Sequence, residues 1–132
     1  MKTFAVESIA LDAQPNRVFA YLANPENLPQ WTSAFKSVQD RKAEMVTSAG
    51  CVEVGLETIA VAPAGSIDWK IVFPDGTVAM AYSRVTPAPN GGSIYTFVLP
   101  APPVPLEQIE GALEQQVVML RQELVRLAGV LK

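Results

Sequence analysis

Between Ile109 and Leu131, apolar residues recur at steps of four and three: Ile109, Leu113, Val117, Leu120, Leu124, Leu127 and Leu131. This spacing lays one apolar stripe along a helix predicted from Leu106 to Lys132. Glu110, Glu114, Gln115, Gln122, Glu123 and Arg126 fall on the other side and read as a solvated face. Val118, Met119 and Val125 flank the stripe and read as core packing. Gly111 costs about 1 kcal/mol relative to alanine inside a helix, so it marks a close approach to the two short helices, a bend over the cavity mouth, or a later helix start. A stripe this long needs a broad apolar partner surface, and the residues upstream read as the sheet that supplies it.

Lys2 to Leu11 is rich in Phe, Val and Ile and reads as a strand. Two short helices follow. Asp12-Ala13-Gln14-Pro15 opens the first, with Val18, Phe19 and Leu22 on one side. Asn24-Pro25 opens the second, which Pro29 keeps to a turn or two before Trp31. From Phe35 onward the chain reads as a meander of short strands: Phe35–Asp40, Ala43–Thr47, Cys51–Val61, Ser66–Phe73, Thr77–Thr86 and Ser93–Leu99. The turns between them include Arg41-Lys42, Ser48-Ala49-Gly50 and Ala62-Pro63-Ala64-Gly65. Ala101-Pro102-Pro103-Val104-Pro105 is a stiff connector into the last helix.

Two turns set a register. A two-residue turn centred on Asp75-Gly76 puts Phe73 opposite Val78, Ile71 opposite Met80, Trp69 opposite Tyr82 and Ile67 opposite Arg84. A turn over Ala62–Gly65 puts Leu56 opposite Ile71, Thr58 opposite Trp69 and Glu57 across from Lys70. The inner face is then Val54, Leu56, Thr58, Ile67, Trp69, Ile71, Phe73, Val78, Met80, Tyr82 and Arg84, with Tyr95, Phe97 and Leu99 added by alternation. Glu53, Glu57, Asp68, Lys70 and Ser83 face out. A bulge in any strand would invert part of this assignment.

The opening Ser8-Ile9-Ala10-Leu11-Asp12-Ala13-Gln14-Pro15-Asn16-Arg17-Val18-Phe19-Ala20-Tyr21-Leu22, followed by Asn24-Pro25-Glu26-Asn27-Leu28-Pro29-Gln30-Trp31, resembles the START-like (helix-grip) superfamily and its polyketide cyclase/dehydrase group. The Asp68-Trp69…Asp75-Gly76 hairpin and the Leu-rich final helix are also similar, and Gln14 replaces the first of two prolines often found in the family's turn. The resemblance implies an α+β helix-grip fold over residues 1–132 as one domain. Its curved antiparallel sheet of about seven strands, in the order β-α-α-β6-α, would grip the C-terminal helix around an elongated apolar cavity. Members bind lipids, polyketides, sterols, quinones or aromatic intermediates, and some are cyclases or aromatases, so fold alone decides little about function.

The chain has no histidine, which removes the commonest general base, the commonest metal ligand and every Ser-His or Cys-His nucleophile pair. With one cysteine, no metal site and no cofactor are expected. Cys51 lies beside a turn without a local cation and reads as inert; its solitude fits a reducing cytoplasm. A net charge of −3 argues against nucleic acid, and no apolar run is long enough to span a membrane. The expected partner is a small hydrophobic molecule, and an edge strand offers a route to a homodimer.

The candidate ligand-binding residues are Arg84, Tyr82, Trp69, Tyr95, Phe97, Leu56, Ile71, Met80, Leu113 and Val117. Arg84 on the inner face could pair with a carboxylate, phenolate or enolate oxygen; at the rim it would instead reach solvent or pair with an acid such as Glu7. Tyr82 and Tyr95 suit an apolar wall with a hydroxyl aimed at a ligand, or ordinary core. Trp31 reads as the wedge seating the short helices, and Glu7 would serve in acid–base chemistry only if it points inward. Two functions follow: a non-catalytic carrier or sensor, or a cyclase/aromatase in which Arg84, Tyr82 or Tyr95 orients the chain to be closed. The carrier reading is preferred, because the inner face is apolar with few polar groups and the chain lacks histidine. Room for a ligand is expected near Ile109, Gly111 and Leu113.

Overall fold

The computed structural model describes residues 2–47, 50–102 and 109–132. The expected turn at Ser48-Ala49, the end of the proline connector, the first helical turn from Leu106 and the side chains of Ile109 and Glu110 lie outside that part. Strand β1 (Phe4–Leu11) leads into α1 (Pro15–Ala23), a 3-10 turn (Pro25–Asn27) and α2 (Leu28–Trp31). Six strands follow, β2 (Phe35–Gln39), β3 (Lys42–Thr47), β4 (Gly50–Val61), β5 (Ser66–Val72), β6 (Val78–Pro87) and β7 (Ser93–Pro100), then α3 (Ile109–Val130). The strands form one antiparallel sheet in the order β1-β7-β6-β5-β4-β3-β2. The sheet curves around α3, so the expected helix-grip architecture is present.

Local chemistry explains the short helices. Pro15 occupies the first position of α1, where its missing N–H costs nothing. The Asn24 side chain accepts the Glu26 N–H at 3.1 Å and caps the next turn. Thr32 ends α2 by returning both its N–H and its hydroxyl to the Leu28 carbonyl, at 2.9 and 2.7 Å.

The two central hairpins differ in outcome. Between β4 and β5 the pairs Leu56 with Ile71, Glu57 with Lys70 and Thr58 with Trp69 are those expected. Gly65 makes that turn: its φ is +70°, and a Cβ there would collide with the Val85 carbonyl. Between β5 and β6 the register is one residue away from the expected one, with Trp69 opposite Ala81, Ile71 opposite Ala79 and Val72 opposite Val78. The loop holds three residues, Pro74-Asp75-Gly76. Gly76 donates to the Phe73 carbonyl at 2.9 Å and takes φ +88°, and Asp75 accepts the Thr77 N–H at 2.9 Å. This is a tight turn followed by a left-handed glycine, and the additional residue turns every β6 side chain over. Ala79, Ala81, Ser83 and Val85 therefore face inward, and Val78, Met80, Tyr82 and Arg84 face outward. The β2–β3 turn also sits one position earlier than expected, on Asp40 and Arg41, both at positive φ.

On α3, Leu113, Leu120, Leu124, Leu127 and Leu131 are buried and Val117 is half-buried, so the stripe packs as its spacing requires. The helix lies against β1 and α2. Val118, Met119 and Val125 are exposed rather than core, because they project on the side away from the sheet. Gly111 marks no close approach, since a Cβ there would meet open space. Glu123 leaves the expected solvated face: it is half-buried and accepts the Ser33 N–H at 2.5 Å, tying α3 to the segment after α2.

Candidate functional site

The concave face of the sheet and the end of α2 bring four aromatic rings into a closed set. Trp69 stacks on Phe97 at 6.1 Å between centroids with 24° between planes. Tyr95 meets Phe97 edge-on at 6.3 Å, Trp31 meets Tyr95 edge-on at 6.3 Å, and Trp31 lies tilted by 54° to Trp69 at 6.5 Å. These are the offset and edge-to-face geometries that the ring quadrupoles favour. Alternation along β5 and β7 aims Trp69, Tyr95 and Phe97 inward, and α2 ends on Trp31 so that its indole closes the set. Leu56 and Ile71 lie beside Trp69 on the same face, and Leu120, Leu124 and Leu127 belong to the same core.

Three polar atoms in this apolar interior have no hydrogen-bond partner: Thr58 Oγ1, Trp69 Nε1 and Tyr95 Oη. Most buried polar groups in folded proteins are paired, and an orphan costs about 1–3 kcal/mol. Thr58 and Trp69 are direct cross-strand neighbours, so two of the orphans sit side by side. Burial pushes the Tyr95 hydroxyl well above the ordinary tyrosine range. Ser83 lies near enough to moderate that shift, while its own O–H is directed to the Ile67 carbonyl at 2.6 Å.

The structure separates the residues nominated from the sequence. Leu56, Trp69, Ile71, Tyr95 and Phe97 come together on the concave face, and Leu113 is buried on α3 with Val117 half-buried. Arg84, Tyr82 and Met80 do not join them; the β6 register puts all three on the convex face. There Arg84 donates its Nε–H to the Ala64 carbonyl at 3.0 Å in an exposed contact. Glu7 does face inward, opposite Phe97, but Arg121 of α3 pairs with it at 2.5 Å. Ser83, expected outside, is buried inside for the same reason that Arg84 is not. Strand alternation had already put Thr58 on the inner face, but nothing in the local sequence shows that its hydroxyl lacks a partner. Cys51 is exposed and free.

Two concavities are described on the outer surface, with volumes of about 660 and 510 Å³. The larger lies between Asp12, Gln14 and Arg17 and the Asn90–Gly92 loop; the smaller lies beneath the Asp40–Lys42 turn, beside Val72 and Pro74. Neither is lined by a residue of the aromatic set. Among the described residues no group of His, Cys, Asp or Glu is arranged to hold a metal ion, and no helix is long and apolar enough to cross a membrane.

Comparison with solved structures gives the same architecture. XoxI from Bacillus cereus superposes with a TM-score of 0.72 at 13% identity, over 98% of this chain and 96% of that one. A START superfamily protein from Mycobacterium smegmatis gives 0.68 at 13% identity, over 98% and 97%. DynU16, from a dynemicin biosynthetic locus, gives 0.61 at 12% identity over 97% of this chain, which spans only 46% of that protein. No curated protein sequence matches. At these identities the structures speak for the fold alone, but the family model described as polyketide cyclase/dehydrase and lipid transport matches residues 3–132. The chain, with its sheet gripping α3 and this family match over nearly its whole length, belongs to the polyketide cyclase/dehydrase and lipid transport family.

Proposed function

We propose that the chain binds a small hydrophobic molecule (a lipid, polyketide or aromatic compound) between the concave face and α3, as a carrier or sensor, with residues 1–132 acting as one cytoplasmic domain. The observation that carries this reading is the presence of three orphaned polar atoms in an otherwise apolar, aromatic-walled interior. A ligand group pairing with them would offset the desolvation cost of these three atoms. Trp69, Tyr95, Phe97, Leu56 and Ile71 supply the wall, with Thr58 and Trp31 beside them and Leu113 and Val117 as the α3 side.

The cyclase or aromatase alternative draws on the family description and on the biosynthetic setting of DynU16. The groups available for it are few. Tyr95 stays protonated near neutral pH and so donates rather than abstracts, and Glu7 is held by Arg121. Binding without turnover is therefore the favoured reading. Native mass spectrometry of freshly purified protein is expected to reveal a small organic adduct released on denaturation and returned chemically unchanged after long incubation. Bare mass, together with failure to take up any member of a hydrophobic library, overturns the reading; a chemically altered adduct moves it to the enzyme.

A further inference from the structure

The two edges of the sheet are finished differently, and from this difference we propose that the β1 edge joins two copies of the chain, strand to strand and antiparallel about Val6. Sheet order leaves β1 and β2 as the outer strands. β2 has the features that discourage edge pairing: it is five residues long, and its register shifts between Phe35 and Ser37, at the exposed Lys36. β1 lacks them. Its eight residues include no proline and pair with β7 without a shift from Phe4 to Leu11. An inward charge can guard an edge, but Glu7 is already paired with Arg121. α3 packs on that inward side and leaves Phe4, Val6, Ser8 and Ala10 exposed.

The free edge has hydrogen bonds to give. Thr3 accepts the Ala101 N–H at 2.8 Å, so Thr3 and the odd-numbered residues of β1 turn their backbone groups to β7. By alternation Phe4, Val6 and Ser8 aim theirs away from the sheet, where among the described residues no turn or loop bonds to them. An antiparallel copy centred on Val6 sets Val6 against its own counterpart and Phe4 against Ser8, and each of these outward groups then finds a partner. Centring on Glu7 would oppose two carboxylates; centred on Val6, Glu7 faces Ala5 instead. The flanks of the strand are apolar on both sides. Phe4 and Val6 are 50% and 48% exposed and continue through Val98 to Tyr82 on the convex face. On α3, Val118 and Val125 stand one turn to either side of Arg121, the residue that reaches β1, and are 54% and 67% exposed. Twofold symmetry brings the same side chains to the same seam, so apolar meets apolar. The association is independent of what the interior holds.

Sedimentation velocity of the full chain, from micromolar to near-millimolar concentration, tests it. One strand pair with its flanks is a small interface, so a dimer with a micromolar dissociation constant is expected. Val6→Pro deletes an outward N–H while sparing the β7 ladder, and should weaken the dimer at least about tenfold. Val6→Lys keeps that N–H and sets like charges together at the twofold axis; it should weaken the dimer equally, so the result does not hang on whether the proline variant folds. Cross-linking in a Cys51→Ser background reads the register. Val6→Cys is expected to form an intermolecular disulfide on oxidation, because its two Cα atoms would lie about 5.5 Å apart. Phe4→Cys is not, because its two copies would lie about 13 Å apart along the strands. A chain that stays monomeric throughout the range overturns the inference, as does a dimer that both Val6 variants leave intact, or one cross-linked through Phe4→Cys and not through Val6→Cys.

Discussion

The two faces of the sheet are built from the same strands and carry similar side chains, yet they treat polar atoms in opposite ways. On the convex face, Tyr82 lies next to Val98 with Val6 on the far side, and Arg84 reaches the Ala64 carbonyl; all of these polar groups meet solvent. On the concave face Tyr95 is fully buried, Trp69 is nearly so, and neither has a partner for its polar atom. A tyrosine hydroxyl in water is satisfied at no cost, whereas the same hydroxyl in an apolar interior is an unmet demand. The chemistry of this protein is therefore to be sought on the face where polar atoms are few and unpaired, not on the face where they are plentiful.

Substitutions on the two faces should differ accordingly. The largest effect is expected at Trp31, which closes the aromatic set at 2% exposure: Trp31→Ala should cost about 3–5 kcal/mol in a denaturant melt. A loss under 1 kcal/mol would mean that the rings are loosely packed. Ser83→Ala removes the buried donor to the Ile67 carbonyl and should cost about 1 kcal/mol. Tyr95→Phe should leave the ligand-free protein as stable as before, or up to about 1 kcal/mol more stable, because the hydroxyl it removes has no partner. A clear loss of stability would show instead that an ordered water or side chain satisfies it. Arg84→Ala on the convex face should stay within about 0.5 kcal/mol and leave ligand affinity unchanged; a drop in affinity would return Arg84 to the site.

A pH experiment examines the contact between α3 and the segment after α2. Burial raises the pKa of Glu123, with the Ser33 N–H and Arg126 partly opposing it. A carboxyl whose folded pKa is raised binds its proton more readily in the folded state. Its contribution to stability is thus present at low pH and declines as pH rises from the ordinary glutamate range through the folded pKa. Glu123→Gln keeps an acceptor for Ser33 and removes the titration. The variant should gain on the parent between pH 4 and pH 7, read as the difference of two denaturation midpoints; parallel profiles would place the carboxylate in water.

How much was legible depended on how locally each feature is encoded. The α3 stripe, the Asn24 cap and the β4–β5 register were readable, because a 3.6-residue period, a capping side chain and a turn ending in glycine are all properties of a few adjacent residues. The β5–β6 register was not. Pro74-Asp75-Gly76 contains the Asp-Gly pair of a two-residue turn, but the chain uses all three residues, and one residue decides which face a whole strand presents. That single step moved Arg84, Tyr82 and Met80 out of the candidate site and brought Ser83 in. Glu123 is not legible in the sequence for another reason. Helical periodicity gives the angle of a side chain around its own axis but not what a distant loop brings against it.

By itself, the sequence determined the order of elements, the apolar face of α3, the family and the absence of histidine chemistry, since each follows from residue identity and near-neighbour spacing. Only the tertiary structure decided that Glu7 points inward and meets Arg121, that Trp31 closes a ring with Trp69, Tyr95 and Phe97, and that Thr58, Trp69 and Tyr95 keep polar atoms without partners. Whether a buried polar group is satisfied depends on every atom within about 3 Å of it, and those atoms come from strands and helices far apart along the chain.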